Sequence, residues 1–114
     1  MTILTELRDV AIILHVAGGI DTLSTELLER AADGVIVRKP GAAIVDLSEL
    51  LYINSLAIGV LTRLATTVRR SGRIAIVIPP GDVRDVFVRS RVIDLFEQFD
   101  DVDAAVAATA APVI

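Results

Sequence analysis

Residues 42–72 constrain the fold more than any other part of this sequence, because they join two different apolar patterns across a polar turn. The segment begins with a continuous apolar run, residues 42–45, that ends at Asp46. Such a run is typical of a strand buried on both faces of a parallel sheet. After a loop over residues 47–53, apolar residues recur at three- and four-residue steps: Ala57, Val60, Leu61, Leu64, Ala65 and Val68. The segment therefore predicts a strand, a loop and an amphipathic helix.

Polar and small residues mark both ends of this predicted helix. Asn54 and Ser55 stand where the N-cap is expected, and short polar side chains there accept hydrogen bonds from the unpaired amides of the first turn. Gly72 follows the last apolar position and is expected to end the helix with left-handed dihedrals. Residue chemistry alone explains Ser55 as a capping serine, although an exposed hydroxyl at such a junction is also accessible to a kinase.

The N-terminal third of the chain predicts two strands and a helix. Residues 2–7 and 10–16 have strand patterns separated by Arg8-Asp9, which indicates a hairpin. The second of these strands is apolar enough to lie near the centre of a sheet. The following helix has an expected inner face at four-residue spacing, made by Leu23, Leu27, Ala31 and Val35.

Residues 73–78 predict one more buried strand, because they are apolar apart from the first. We expect Ile44 and Val45 to lie in the sheet centre, beside a parallel strand that contains Ile76 and Val77. Strands that alternate with helices imply right-handed crossovers, so the chain predicts a mixed α/β sheet with helices packed on it.

Shorter elements complete the chain. Asp82 is expected to cap a short helix. Residues 90–99 have an ambiguous pattern, for which a turn with a short edge strand is one interpretation. Residues 102–110 predict a last, alanine-rich helix before a frayed end at residues 112–114. No repeat or linker interrupts the pattern, so residues 1–114 are predicted to form one domain.

The composition limits the classes of protein that this chain can represent. Hydrophobic residues make up 54% of the sequence, which excludes disorder and fits a sheet covered on both faces. The absence of cysteine excludes disulfides, and a net charge of −4 gives no support for direct binding to nucleic acid. No apolar run approaches the ~18 residues of a spanning helix, so we expect a cytoplasmic protein that does not enter the membrane.

The residues around the central junction resemble the signature of the STAS family, the antagonists of anti-sigma factors. In that family an apolar strand ends in Asp-Leu-Ser, and Asp-Ser-Ser/Thr-Gly-x-Gly begins a helix. The matching residues here are Val45-Asp46-Leu47-Ser48, Ile53-Asn54-Ser55 and Gly59-Val60-Leu61. The resemblance covers nearly the whole chain and implies a STAS-like mixed β-sheet of four to five strands with about four helices packed on it.

The resemblance implies a regulator rather than an enzyme. The phosphate-accepting serine of the family aligns with Ser55, and partner binding is expected at Asn54, Ser55, Leu56 and Gly59, with Arg63 on the exposed face of the helix. The implied partner is an anti-sigma factor that is also an ATP-binding serine kinase. Phosphorylation of Ser55 would then regulate transcription that depends on a sigma factor. The kinase supplies the ATP, so no cofactor and no metal are expected in this chain.

Three departures from the family pattern keep a second interpretation open. Asn54 stands where the family has aspartate, Leu56 replaces the second hydroxyl residue, and Ala57 replaces the first glycine of the helix. The changes at Asn54 and Leu56 favour a phosphorylation-independent STAS scaffold, or a small-ligand sensor subunit, in a stress-signalling complex. The oligomeric state also stays open, a homodimer included.

Enzymatic alternatives have little support in the residues. Gly18-Gly19 follows a strand and precedes a helix, but dinucleotide and P-loop motifs are absent, so turn glycines are the better interpretation. His15 is the only histidine, and we expect it to be packed or at an edge. A triad of Ser55, His15 and Asp46 has the right residue types, yet no nucleophile-elbow pattern surrounds Ser55.

Overall fold

The structure, a computed structural model, describes residues 1–110 as a six-stranded sheet with helices on both faces. The strands are β1 (Thr2–Arg8), β2 (Ala11–Gly19), β3 (Ala42–Asp46), β4 (Leu50–Tyr52), β5 (Arg73–Val77) and β6 (Glu97–Phe99). The helices are α1 (Thr22–Val37), α2 (Ser55–Val68), α3 (Asp82–Arg89) and α4 (Val102–Thr109), with a 3-10 turn at Val92–Leu95. The frayed end expected at residues 112–114 lies outside the described residues.

The sheet has the strand order β1-β2-β3-β5-β6, and β4 pairs separately with the end of β2. β1 and β2 form the predicted antiparallel hairpin, and the other pairings are parallel. Val45 lies opposite Ile76, and Ile44 lies opposite Ala75, which confirms the predicted neighbouring strands. The predicted fold class is confirmed. One strand is added to the four or five expected, because β4 lies in the segment interpreted as a loop.

Two apolar layers lie on opposite faces of the sheet. The larger layer, on the side of α1, α2 and α3, contains Leu14, Val45 and Ile76. The smaller layer, on the side of α4, contains Ile13 and Ile44. Successive side chains of a strand point to opposite faces, so each continuous apolar run supplies both layers.

Helix α1 turns a different face to the core than its sequence suggested. Its buried residues are Thr25, Leu28, Ala32 and Val35. The prediction is wrong for Leu23 and Leu27, which are 86% and 54% exposed, whereas Ala31 is half-buried. Each four-residue step exceeds a full turn by ~40°, so a strict four-residue series drifts around the helix. The buried set alternates three- and four-residue steps and therefore stays on one side.

Helix α2 has the predicted inner face but a different end. All the predicted apolar positions from Ala57 to Val68 are buried. The amide of Arg69 donates to the Ala65 carbonyl at the C-cap, and Gly72 does not have positive φ. A Cβ on Gly72 would lie 2.5 Å from the carbonyl oxygen of Pro40. Residue 72 is therefore a glycine because another loop passes close to it, and the predicted left-handed cap is wrong.

The short elements after β5 correct one prediction and confirm another. Gly81, with φ of 146°, occupies the N-cap position of α3, and Asp82 is the first helical residue rather than the cap. Its carboxylate still lies in the first turn, where the helix dipole favours negative charge. The predicted turn and edge strand are the 3-10 turn and β6, and Asp101 caps α4 by accepting from the Ala104 amide at 2.7 Å.

Candidate functional site

Asn54, and not Ser55, caps helix α2. The side-chain oxygen of Asn54 accepts a hydrogen bond from the amide of Ala57 at 2.8 Å, and the Asn54 backbone is extended, as is usual at an N-cap. The side-chain amide of Asn54 donates to the Thr25 hydroxyl at 3.2 Å, and that hydroxyl donates to the Asp21 carbonyl at 2.8 Å. Asn54 therefore ties the start of α2 to the start of α1.

Ser55 is the first residue of α2, and it is exposed. The interpretation of Ser55 as the N-cap is wrong, because Asn54 holds that position. The backbone bond from Ile58 to the Asn54 carbonyl, at 3.1 Å, begins the helical pattern, so the amides of Ser55 and Leu56 precede it. The first turn of α2 contains no acidic residue. An anion attached to Ser55 would therefore meet two amides and the positive end of the helix dipole.

Large apolar side chains accompany Ser55 on the surface. Leu51 and Tyr52 of β4 are 74% and 57% exposed, and Leu56 of α2 is 61% exposed. We call Leu51, Tyr52, Ser55 and Leu56 the junction surface. Exposed apolar side chains that occur together are a mark of interaction surfaces, whereas single ones need no explanation.

A shallow groove continues the junction surface towards α3. Its volume is about 150 Å³, and its lining residues are Leu51, Tyr52, Ile53, Asp82, Val83 and Val86. Typical small-molecule pockets have volumes of roughly 300–1,000 Å³. The groove is therefore better suited to a side chain of a protein partner than to a small ligand.

Gly59 and Arg63 lie further along α2, at four-residue steps from Ser55. A Cβ added to Gly59 would meet no atom within 4 Å, so this position is open surface. The Arg63 guanidinium donates to the Asp33 carboxylate at 2.6 Å, which forms an ion pair between α2 and α1. Of the predicted partner-binding residues, Arg63 thus has a partner within the chain, and Asn54 is half-buried as a cap.

His15 and Asp46 are in contact, but they form no triad with Ser55. Nδ1 of His15 lies 2.7 Å from the Asp46 carboxylate, and Nε2 lies 2.7 Å from the Glu6 carboxylate. Both ring nitrogens are occupied by carboxylates, so neither can accept the proton of a serine hydroxyl. Glu6 was not predicted as a partner of His15, because only the pairing of β1 with β2 brings the two side chains together.

Leu51 and Tyr52 were also not predicted as site residues. They lie in a segment too short to show a period, and their apolar character was the only available signal. Gly19 explains the position of the Tyr52 ring, because a Cβ on Gly19 would overlap that ring. The turn glycine predicted from the sequence therefore also makes room for one side chain of the junction surface.

The parallel strands, the order of the sheet and the capped start of α2 define an α/β domain of the STAS type. A family model of the STAS domain matches residues 2–105, and the chain belongs to the STAS family. None of the helices within residues 1–110 combines the length and the hydrophobicity that crossing a bilayer requires.

Solved structures of several proteins have the same fold. An anti-sigma factor antagonist from Mycobacterium paratuberculosis is similar with a TM-score of 0.89 and 23% identity, over 96% of this chain and 94% of that chain. The phosphorylated form of the Bacillus cell fate determinant SpoIIAA has a TM-score of 0.71 and 16% identity, over 90% and 96%. A sulfate transporter family protein from Wolinella succinogenes has a TM-score of 0.72 and 17% identity, over 90% and 86%. Among curated proteins, none matches this chain. At these identities the likeness shows the fold alone.

Proposed function

We propose that this chain is an anti-sigma factor antagonist whose junction surface binds an anti-sigma factor with serine kinase activity, and that phosphorylation of Ser55 ends this binding. As a cytoplasmic protein of one STAS domain, it would release a sigma factor by occupying that factor's inhibitor. The observation that carries the proposal is the exposed position of Ser55 beside a separate cap, Asn54. The likeness to an anti-sigma factor antagonist of known structure supports it.

The separate cap means that Ser55 can be modified without loss of the helix start. Phosphorylation adds roughly −1.5 to −2 charges and three acceptor oxygens. The amides of Ser55 and Leu56 and the helix dipole are favourable surroundings for these charges. A phosphate on Ser55 should therefore change the surface of the domain while the fold persists.

The apolar neighbours of Ser55 explain why such a phosphate would act as a switch. A partner that binds the whole junction surface also covers the Ser55 hydroxyl. Burial of an unmodified serine in such a contact costs little binding free energy. Burial of a phosphate would remove its hydration at a cost of several kcal/mol, unless the partner places a positive charge beside it. Binding should therefore favour the unphosphorylated form.

One observation favours a second function. Leu56 is 61% exposed where the family pattern has a hydroxyl residue, so the first turn of α2 offers a partner an apolar contact that needs no phosphorylation. The chain would then be a phosphorylation-independent STAS scaffold in a stress-signalling complex. The small-ligand sensor has less support, because the groove lined by Leu51 and Tyr52 has a volume of only about 150 Å³.

Phosphate transfer by purified kinases separates these functions. The purified chain is incubated with each anti-sigma factor kinase of the source organism and Mg-ATP, and phosphate is located by tandem mass spectrometry. We expect one phosphate, on Ser55, and none on the Ser55→Ala variant. Ser48 and Ser71 are also exposed and serve as internal comparisons. Tight binding of a kinase without phosphate on Ser55 would support the scaffold, and neither binding nor phosphate with any kinase would contradict the proposal.

A further inference from the structure

A chain of charged side chains crosses one side of the sheet. His15 of β2 lies between Asp46, at the end of β3, and Glu6 of β1, with 2.7 Å from each ring nitrogen to a carboxylate. Nε of Arg8 donates to the same Glu6 carboxylate at 3.0 Å, and its Nη1 donates to Asp103 of α4 at 2.7 Å. The contacts therefore connect four elements through side chains of alternating charge.

The two contacts of His15 determine how many protons its ring carries. A neutral imidazole has one N–H, so one nitrogen donates and the other carries a lone pair. With carboxylates at both nitrogens, a neutral ring would place this lone pair 2.7 Å from a carboxylate oxygen, which is repulsive. An imidazolium donates to both carboxylates in charge-assisted hydrogen bonds. A neutral ring between two carboxylates therefore does not fit this geometry. The group of three side chains must hold one additional proton.

Neither carboxyl group binds this additional proton, so the proton lies on the His15 ring. The hydrogen bond from His15 is the largest cause that lowers the pKa of Glu6, and Arg8 adds to it. Burial acts against the charged form of Asp46, but hydrogen bonds from Ser48 and His15 outweigh it, and the pKa of Asp46 is also lowered. Both groups are therefore carboxylates near neutral pH.

The surroundings of His15 are consistent with a charged ring. Burial alone would lower the pKa of His15, but the hydrogen bonds and charges of Glu6 and Asp46 outweigh it and raise the pKa above 6.5. Among the described residues, the charged groups on neighbouring elements are Glu6 of β1 and Asp46 of β3, with Arg8 and then Asp103 of α4 beyond Glu6.

Asp46 connects His15 to the junction surface. One carboxylate oxygen of Asp46 contacts His15, and the other accepts from the amide of Ser48 at 3.0 Å, which holds the turn after β3. Backbone bonds from Gly18 and Ile20 to the segment of β4, at 2.9 and 3.0 Å, hold the strand that follows. The turn that Asp46 holds thus leads directly into the strand that carries two side chains of the junction surface.

We propose that doubly protonated His15 is a positioning residue that holds β1 and the turn after β3 together, so that loss of one ring proton loosens this turn and shifts the junction surface. The inference does not depend on the proposed function, because it concerns the free chain. The sign of the effect follows from the raised pKa of His15 in the folded protein. The stabilisation is complete below about pH 6.5, the ordinary pKa of histidine, and is lost as the pH rises through the higher pKa of the folded protein.

Solution NMR of the free chain tests this inference directly, because His15 is the only histidine. Imidazole and backbone amide signals are followed in the same samples from roughly pH 5 to 9, the range in which histidine titrates. We expect both ring N–H protons at the acidic end of this range and a His15 pKa above 6.5. We also expect the amides of Ser48 and β4 to shift with that same pKa. The proposal would be overturned if the ring were neutral over the whole pH range. It would also be overturned if the chemical shift of the Ser48 amide did not change as His15 titrates.

Three variants separate this network from other titrations. In His15→Gln the Ser48 shift should disappear, and a persistent shift would assign the change to a group other than His15. Glu6→Gln should bring the pKa of His15 down, because one of its two carboxylate partners is lost. Asp103→Asn, at the far end of the network, is the matched control and should leave that pKa nearly unchanged. Equal effects of Glu6→Gln and Asp103→Asn on the pKa of His15 would contradict the proposal. This comparison tests the proposal even if His15→Gln fails to fold.

Discussion

The side-chain oxygen of Asn54 lies 2.8 Å from the amide nitrogen of Ala57, and this bond makes Asn54 the cap of α2. Ser55 follows immediately, at an exposed position where its hydroxyl is not needed to begin the helix. The two adjacent polar residues thus have separate effects. A substitution at position 54 should change stability, whereas a substitution at position 55 should change the surface.

Asn54→Ala should lower the free energy of unfolding by about 1 kcal/mol, within the ~0.5–2 kcal/mol of lost N-caps. It also removes the amide that donates to Thr25. Ser55→Ala should change the same free energy by less than about 0.5 kcal/mol, as surface substitutions usually do. Urea denaturation of both variants provides the measurement. A larger loss in Ser55→Ala than in Asn54→Ala would return the capping role to Ser55.

Ser55→Asp should fold normally and bind its anti-sigma factor more weakly. Aspartate in the first turn is favoured by the helix dipole, so stability should be kept, while its charge lies in the junction surface. Isothermal titration calorimetry against the cognate anti-sigma factor measures the affinity, with Ser55→Ala as the control that should bind like wild type. Equal affinities for the Asp and Ala variants would leave the chain as a binder that phosphorylation does not control.

Arg63→Glu should weaken partner binding and leave the circular dichroism spectrum unchanged. The substitution also breaks the ion pair with Asp33, whose side chain is 53% exposed, so the loss of stability should stay below about 1 kcal/mol. The swap Asp33→Arg with Arg63→Glu restores the pair with reversed charges and is the control. Full recovery of affinity in the swap would show that the pair mattered only for the position of α2.

Ile44→Ala and Ile76→Ala should each lower the free energy of unfolding by about 2–5 kcal/mol, because both side chains are fully buried and truncation leaves a cavity. Leu23→Ala is the comparison, since Leu23 is 86% exposed and should change stability by less than about 0.5 kcal/mol. Thermal and urea unfolding of the three variants test both the central strands and the corrected face of α1. A loss of several kcal/mol in Leu23→Ala would restore the face expected from the sequence.

Gly72→Ala and Gly34→Ala should have opposite effects on stability. A Cβ at position 72 would lie 2.5 Å from the Pro40 carbonyl oxygen, so we expect a loss of about 1–3 kcal/mol. Gly34 lies inside α1 with no atom within 4 Å of the added Cβ, and alanine there should raise stability by about 0.5–1 kcal/mol. Melting curves of both variants provide the measurement. Equal shifts of the melting temperature would show that the approach of Pro40 is not the reason for glycine at position 72.

Local patterns in the chain were enough to define most elements of the fold. The run at Ile44 and Val45 and the periodic positions of α2 were assigned correctly, because the burial of an element depends on a short, repeating arrangement of side chains. The exposed start of α2 followed from Asn54 and Ser55 in the same way. Which of the two is the cap did not follow, because both side chains can accept the same amide hydrogen bonds.

Packing between distant segments determined the rest. The exposure of Leu23, the pairing of β4 with β2 and the approach of Pro40 to Gly72 each depend on where a second element lies. The same is true of His15, whose two carboxylates come from strands on either side of it. Such contacts arise from strand register and helix placement, which are properties of two segments together, so no period within one segment can encode them.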